Sequence, residues 1–144
     1  MFSIRQLAMF TGLTTRTLRN YLAQGILQGE KQHGAWCFSD EQLERFFQNT
    51  EVRQLLHTKK LALVYDFLAL RRKTVNELCI VLDQLLPPEE ADIAAAFFCD
   101  ELNRLPEGSR VQFAYEREAD CARFILTGPE TAVQPLLAAW YARS

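Results

Sequence analysis

Between Thr14 and Tyr21 the chain reads Thr-Thr-Arg-Thr-Leu-Arg-Asn-Tyr, which sets two guanidinium groups three residues apart among three threonine hydroxyls. Guanidinium forks match phosphate oxygens and the acceptor edge of guanine, and hydroxyls can bridge to either. The chemistry on offer is contact with DNA, provided a rigid element holds these groups on one face. The spacing predicts such an element. Leu18, Tyr21 and Leu22 recur at three and four residues and form an inward stripe, leaving Thr15, Arg16 and Arg19 on the opposite side. Thr14 is placed to cap the first turn, and Gly25 supplies the left-handed residue on which helices commonly end. The stretch therefore reads as a DNA-recognition helix.

The segment before it repeats the logic. Ser3 precedes Ile4, Leu7 and Phe10, which share a face, and Gln6 completes a capping box three residues after Ser3. Thr11-Gly12-Leu13 then has the length of the turn in a helix-turn-helix. Residues 3–44 resemble the opening of the MerR family of transcription regulators, through Ile4, Leu7, Ala8, Thr11, Gly12, Leu13, Arg16, Thr17, Leu18, Arg19, Tyr21, Gly25, Ile26 and Leu27. The resemblance implies a winged helix-turn-helix in which Arg16 faces base edges or backbone in the major groove. It further implies that Thr17, Arg19 and Tyr21 hold phosphates, and Thr15 on the exposed face is a further candidate contact. Ser3, and Lys31 and His33 in the wing, would add backbone contacts. Residues 34–44, Gly-Ala-Trp-Cys-Phe-Ser-Asp-Glu-Gln-Leu-Glu, occupy the place of the wing and the helix after it. Two features differ from the family pattern: Asn20 stands where a tyrosine is usual, and no basic residue lies between Gly34 and Phe38. A head with fewer phosphate-gripping groups binds more weakly or prefers another site.

Charge is distributed to suit this reading. The formal net charge is −2. Residues 1–49 hold five basic against four acidic side chains, residues 50–73 six against two, and residues 74–144 five against twelve, giving +1, +4 and −7. A basic front can neutralise phosphates, while an acidic rear stays off the duplex. With 144 residues, nearly half apolar, the chain can bury one sizeable core or two small ones. Neither a membrane span nor a secretory leader is evident, so the expected location is cytoplasmic. The four cysteines, Cys37, Cys79, Cys99 and Cys121, are scattered without metal-site spacing and read as buried thiols, with no metal or cofactor expected. His33 and His57 lack catalytic neighbours, the glycines do not cluster, and Glu116, Glu118 and Asp120 read as a solvated turn. No enzyme activity is expected.

Further along, Lys31 and His33 are expected at the tip of a hairpin between Gly29 and Gly34, where they would touch DNA or simply face water. Asp40 is expected to cap a helix burying Leu43, Phe46 and Phe47. Residues 51–73 predict a long helix with two apolar stripes, one of Leu56, Leu63, Phe67 and Leu70, the other of Leu61, Val64 and Leu68. It would pack centrally, pair with its copy in a second chain as in MerR-like dimers, or serve a monomer core. Arg71, Arg72 and Lys73 would sit at its negative end. Thr74-Val75-Asn76-Glu77 has the form of a capping box and predicts a helix ending at Pro87-Pro88, with Val75, Leu78, Leu82 and Leu85 inward. A following antiparallel helix would bury Ile93, Phe97 and Leu105.

The period then changes to alternation, Val111, Phe113 and Tyr115 on one strand and Ala122, Phe124 and Leu126 on another, predicting a two-stranded hairpin turning through residues 117–120. A final helix is expected to break at Pro135. Phe97, Phe113, Tyr115, Phe124 and Trp140 would line a pocket for a small apolar effector or fill a small core. The expected fold is thus mainly α with a small β component: a winged head over residues 1–50, a connecting or dimerising helix over 51–73, and an α+β domain over 74–144. The functional expectation is a homodimeric, sequence-specific regulator that binds double-stranded DNA and stays off membranes. An excisionase-like architectural protein and a protein-interaction module without DNA binding are the alternatives.

Overall fold

In a computed structural model, residues 1–69, 72–118 and 120–143 are described. The chain divides into two compact units, Met1–Lys59 and Lys60–Ser144, so the boundary falls inside a helix.

The first unit starts with a two-residue strand, β1 (Phe2–Ser3), followed by helices α1 (Ile4–Thr11) and α2 (Thr15–Gln24). Strands β2 (Glu30–Gln32) and β3 (Ala35–Phe38) and helix α3 (Asp40–Gln48) come next, before the long helix α4 (Thr50–Ala69). The strands form an antiparallel sheet in the order β1-β3-β2, with Phe2 opposite Phe38 and Lys31 opposite Trp36. Helix ends are set by local chemistry. Ser3 Oγ accepts from the Gln6 N–H at 3.1 Å while Gln6 Oε1 accepts from the Ser3 N–H at 2.9 Å, a reciprocal cap that satisfies two donors the first turn leaves open. Ser39 and Gln42 repeat the arrangement at α3. Ser39, rather than Asp40, is therefore the cap there, and Asp40 occupies the first turn, where its charge suits the helix dipole. Phe2, Leu7, Phe10, Leu13, Leu18, Leu27, Phe38, Leu43, Phe46, Val52 and Leu56 are buried and form the core. Phe47 is only half-buried.

The second unit contains β4 (Glu77–Leu85), α5 (Pro88–Asn103), β5 (Gln112–Glu118), β6 (Cys121–Pro129) and α6 (Glu130–Ala142). Its sheet is antiparallel in the order β4-β6-β5, with Leu82 and Tyr115 flanking Phe124. Two expectations are corrected here. Residues 74–86 form no helix: Leu78–Leu82 is a short apolar run centred on β-branched Ile80 and Val81, equally consistent with either period, and nine register pairs with β6 decide for strand. The hairpin is accordingly the larger part of a three-stranded sheet, and β4 supplies the third strand that a lone hairpin lacks. The strands also run further than expected, so Arg117 and Glu118 belong to β5 rather than to a turn; Ala119 lies outside the described residues.

Helices α5 and α6 pack on the sheet. The buried face of α5 is Ala91, Ala94, Ala95, Phe98 and Cys99, whereas Ile93 is 57% exposed, which corrects its inward assignment. Helix α6 continues through Pro135 instead of breaking. Pro135 and Thr131, whose carbonyl loses its partner, are both exposed, so water can satisfy the freed acceptor. Among the described residues no helix is long and apolar enough to cross a membrane.

Candidate nucleic-acid interface

Helix α2 is held at both ends. Thr14 Oγ1 accepts from the Thr17 N–H at 3.1 Å, and Gly25, at φ 78°, closes the helix by donating to the carbonyls of Leu22 and Tyr21. Leu18 is fully buried. Arg16, Arg19 and Asn20 are exposed, so both guanidiniums project from one rigid, anchored helix; Thr15, Thr17 and Tyr21 are half-buried beside them. Three predicted residues are partly committed elsewhere. The Thr17 hydroxyl lies 3.0 Å from that of Thr14, the Tyr21 ring stands 5.8 Å from Phe46, and the Ser3 hydroxyl serves the α1 cap.

The turn between α1 and α2 is tight. Gly12, at φ 71°, donates to the Ala8 carbonyl at 2.9 Å, and buried Thr11 donates to the Leu7 carbonyl and accepts from the Leu13 N–H. Thr11 thereby ties the Leu13 N–H, just past the glycine, back to the last turn of α1.

The β2–β3 hairpin turns on His33 and Gly34, whose φ values of 53° and 80° fit the two-residue turn with left-handed central residues that suits twisted strands. His33 is at the exposed tip as expected. Lys31 is not: it lies within β2, with its ammonium 5.2 Å from the centre of the Trp36 ring. A cation over an indole face is mildly stabilised there, so Lys31 is held away from the tip.

The aromatic group of the second unit is packed ring on ring. Phe98 meets Phe97, Phe113, Phe124 and Trp140 at centroid separations of 5.4–5.8 Å, or 5.0 Å for Phe124, and Tyr115 stacks on Phe124 at 5.1 Å. Of the two readings of Phe97, Phe113, Tyr115, Phe124 and Trp140, this is the geometry of a core. Its central member is Phe98, which is fully buried, whereas Phe97, assigned inward on the helix, is only half-buried.

Beside that core lies a buried polar cluster. Arg117 Nη1 is 2.8 Å from Asp92 Oδ2 and also donates to the Pro88 carbonyl, and the Tyr115 hydroxyl donates to Asp92 Oδ1 at 3.2 Å. Burial, reinforced by the Asp92 charge, pushes the Tyr115 phenol well up from its ordinary value. On the sheet, Arg123 forms a two-pronged pair with Asp83 at 2.7 and 2.9 Å, whose hydrogen bonds hold the Asp83 carboxyl below its usual range. Lys60 pairs with Glu116.

All four cysteines are free, but only Cys99 is buried, which corrects the expectation for Cys37, Cys79 and Cys121. Burial pushes the Cys99 thiol up to about 12 and raises Cys79. Among the described residues no three of histidine, cysteine, aspartate and glutamate converge as a metal site would require.

Compared with known proteins, the chain matches no family model, no curated protein and no solved structure.

Proposed function

We propose that the protein is a DNA-binding transcription regulator, its first unit acting as a MerR-like winged helix-turn-helix and its second serving dimerisation or effector response. The observation that carries the reading is α2: a capped helix whose buried side is leucine and whose exposed side presents Arg16 and Arg19. A helix of this kind can enter the major groove with its N-terminal residues toward base edges. Arg16, in the first turn, reads bases or the adjacent backbone. Arg19, one turn further on, holds phosphate, with Thr15, Thr17 and Tyr21 alongside. His33 at the hairpin tip supports a backbone contact, whereas Lys31 would have to leave Trp36 to make one.

A homodimer would place two heads on an inverted repeat. Helix α4 supports it with Leu61, Tyr65 and Leu68, which are 58%, 71% and 73% exposed and recur at four and three residues. The role is binding and not catalysis.

Selection from a pool of random duplexes, followed by sequencing of the bound fraction, tests the proposal. The expected result is a palindrome with a fixed half-site spacing. Binding without sequence preference would favour an architectural protein. Recovery of nothing above background, with or without candidate effectors, would favour a protein-interaction module and overturn the regulator reading.

A further inference from the structure

The four lysines of the chain differ in what their ammonium groups do. Lys31 lies over Trp36, Lys60 pairs with Glu116, and Lys73 stands over the Phe67 ring while donating to the Phe67 carbonyl. Lys59 is exposed, and among the described residues no hydrogen bond or ion pair holds it. Its stem nevertheless has a defined place. Lys59 Cδ is 4.0 Å from where a Cβ on Gly12 would stand, so this side chain from α4 runs over the turn that joins α1 to α2. Gly12 has no side chain to meet it there.

We infer that Lys59 is a DNA-phosphate contact, a cation delivered from α4 to the α1–α2 turn to grip the backbone flanking the groove that α2 enters. The inference rests on the regulator reading. When a helix-turn-helix docks, the first helix crosses the backbone and the second enters the groove, so the turn between them lies at the groove rim, where phosphates run. An ammonium there is a point charge without base preference; it releases a counterion and adds affinity to every sequence alike. It also adds a cation to a head whose hairpin lysine, Lys31, lies over Trp36.

The test is the salt dependence of binding to a mixed-sequence duplex by the full chain and its variants. Lys59→Gln is expected to weaken binding about threefold to tenfold on every duplex and to lower the slope of log affinity against log salt by about 1, as loss of one phosphate contact requires. Lys59→Arg keeps the slope. Arg104→Gln, which removes an exposed charge from the second unit, also leaves it unchanged. A Lys59→Gln protein with the wild-type slope, while Arg19→Ala lowers it, overturns the inference and spares the regulator reading. Equal losses in Lys59→Gln and Arg104→Gln, or a loss confined to one base position, overturn it as well. A wild-type protein that binds no duplex overturns both. Because Lys59 is exposed, thermal melting of the variants is expected to match the wild type.

Discussion

Phe98 shows how much a single side chain organises in the second unit, since four other rings touch it and it is fully buried. Phe98→Ala should cost about 3–5 kcal/mol in urea unfolding, from lost transfer energy plus the void left among rigid rings. Arg117→Met should cost a similar amount, about 3–5 kcal/mol, because it strands the Asp92 carboxylate away from water. The helix α2 and the exposure of Arg16 and Arg19 were legible from sequence because cap and helix period lie within eight consecutive positions. Lys59 was not, because its nearness to Gly12 bridges 47 positions and depends on the path of α4. Lys31 was misplaced because the chain does not announce that the turn closes on His33 and Gly34 alone.

At the level of elements, the caps were the clearest text. Ser3 with Gln6 and Thr14 with Thr17 were readable because capping chemistry is local. The same pattern misled at Thr74, where a capping-box sequence precedes a strand; pairing of β4 with β6, far along the chain, outweighed it. Hydrophobic period alone could not separate the two outcomes for a run as short as Leu78–Leu82. Gly29 offers a test of how tightly the first sheet is packed. A Cβ there would stand 2.5 Å from Phe38 Cε1, and Phe38 is fully buried in the core. Gly29→Ala should therefore destabilise the first unit by about 1–3 kcal/mol, the range for overpacking a filled site, read as a lower urea midpoint.

For the whole molecule, the chain divides inside α4 into a slightly basic first unit and an acidic second unit, and the proposed reading puts DNA binding in the first. If α4 carries the dimer, Leu68→Glu should shift the sedimentation profile from dimer to monomer without loss of helix content; a dimer that survives points to the second unit instead. Stability should also fall at alkaline pH. The Cys99 thiol is protonated in both states below its ordinary value of 9.0, but above it the unfolded chain loses this proton while the folded chain keeps it up to about 12. Stability thus drops as pH rises across that window, and Tyr115, raised in the same direction, deepens the fall above its ordinary 10.0. Cys99→Ala should flatten the onset near pH 9, seen by comparing urea midpoints across the range.

The central claim is that α2 binds DNA through its exposed arginines. Its most direct test is titration of a labelled mixed-sequence duplex with the wild-type protein and with the Arg16→Ala, Arg19→Ala double variant. Both side chains are exposed, so the variant should fold as the wild type does and lose at least about tenfold in affinity, two contacts' worth of charge. Equal affinity in the two proteins would place any DNA contact elsewhere and contradict the account.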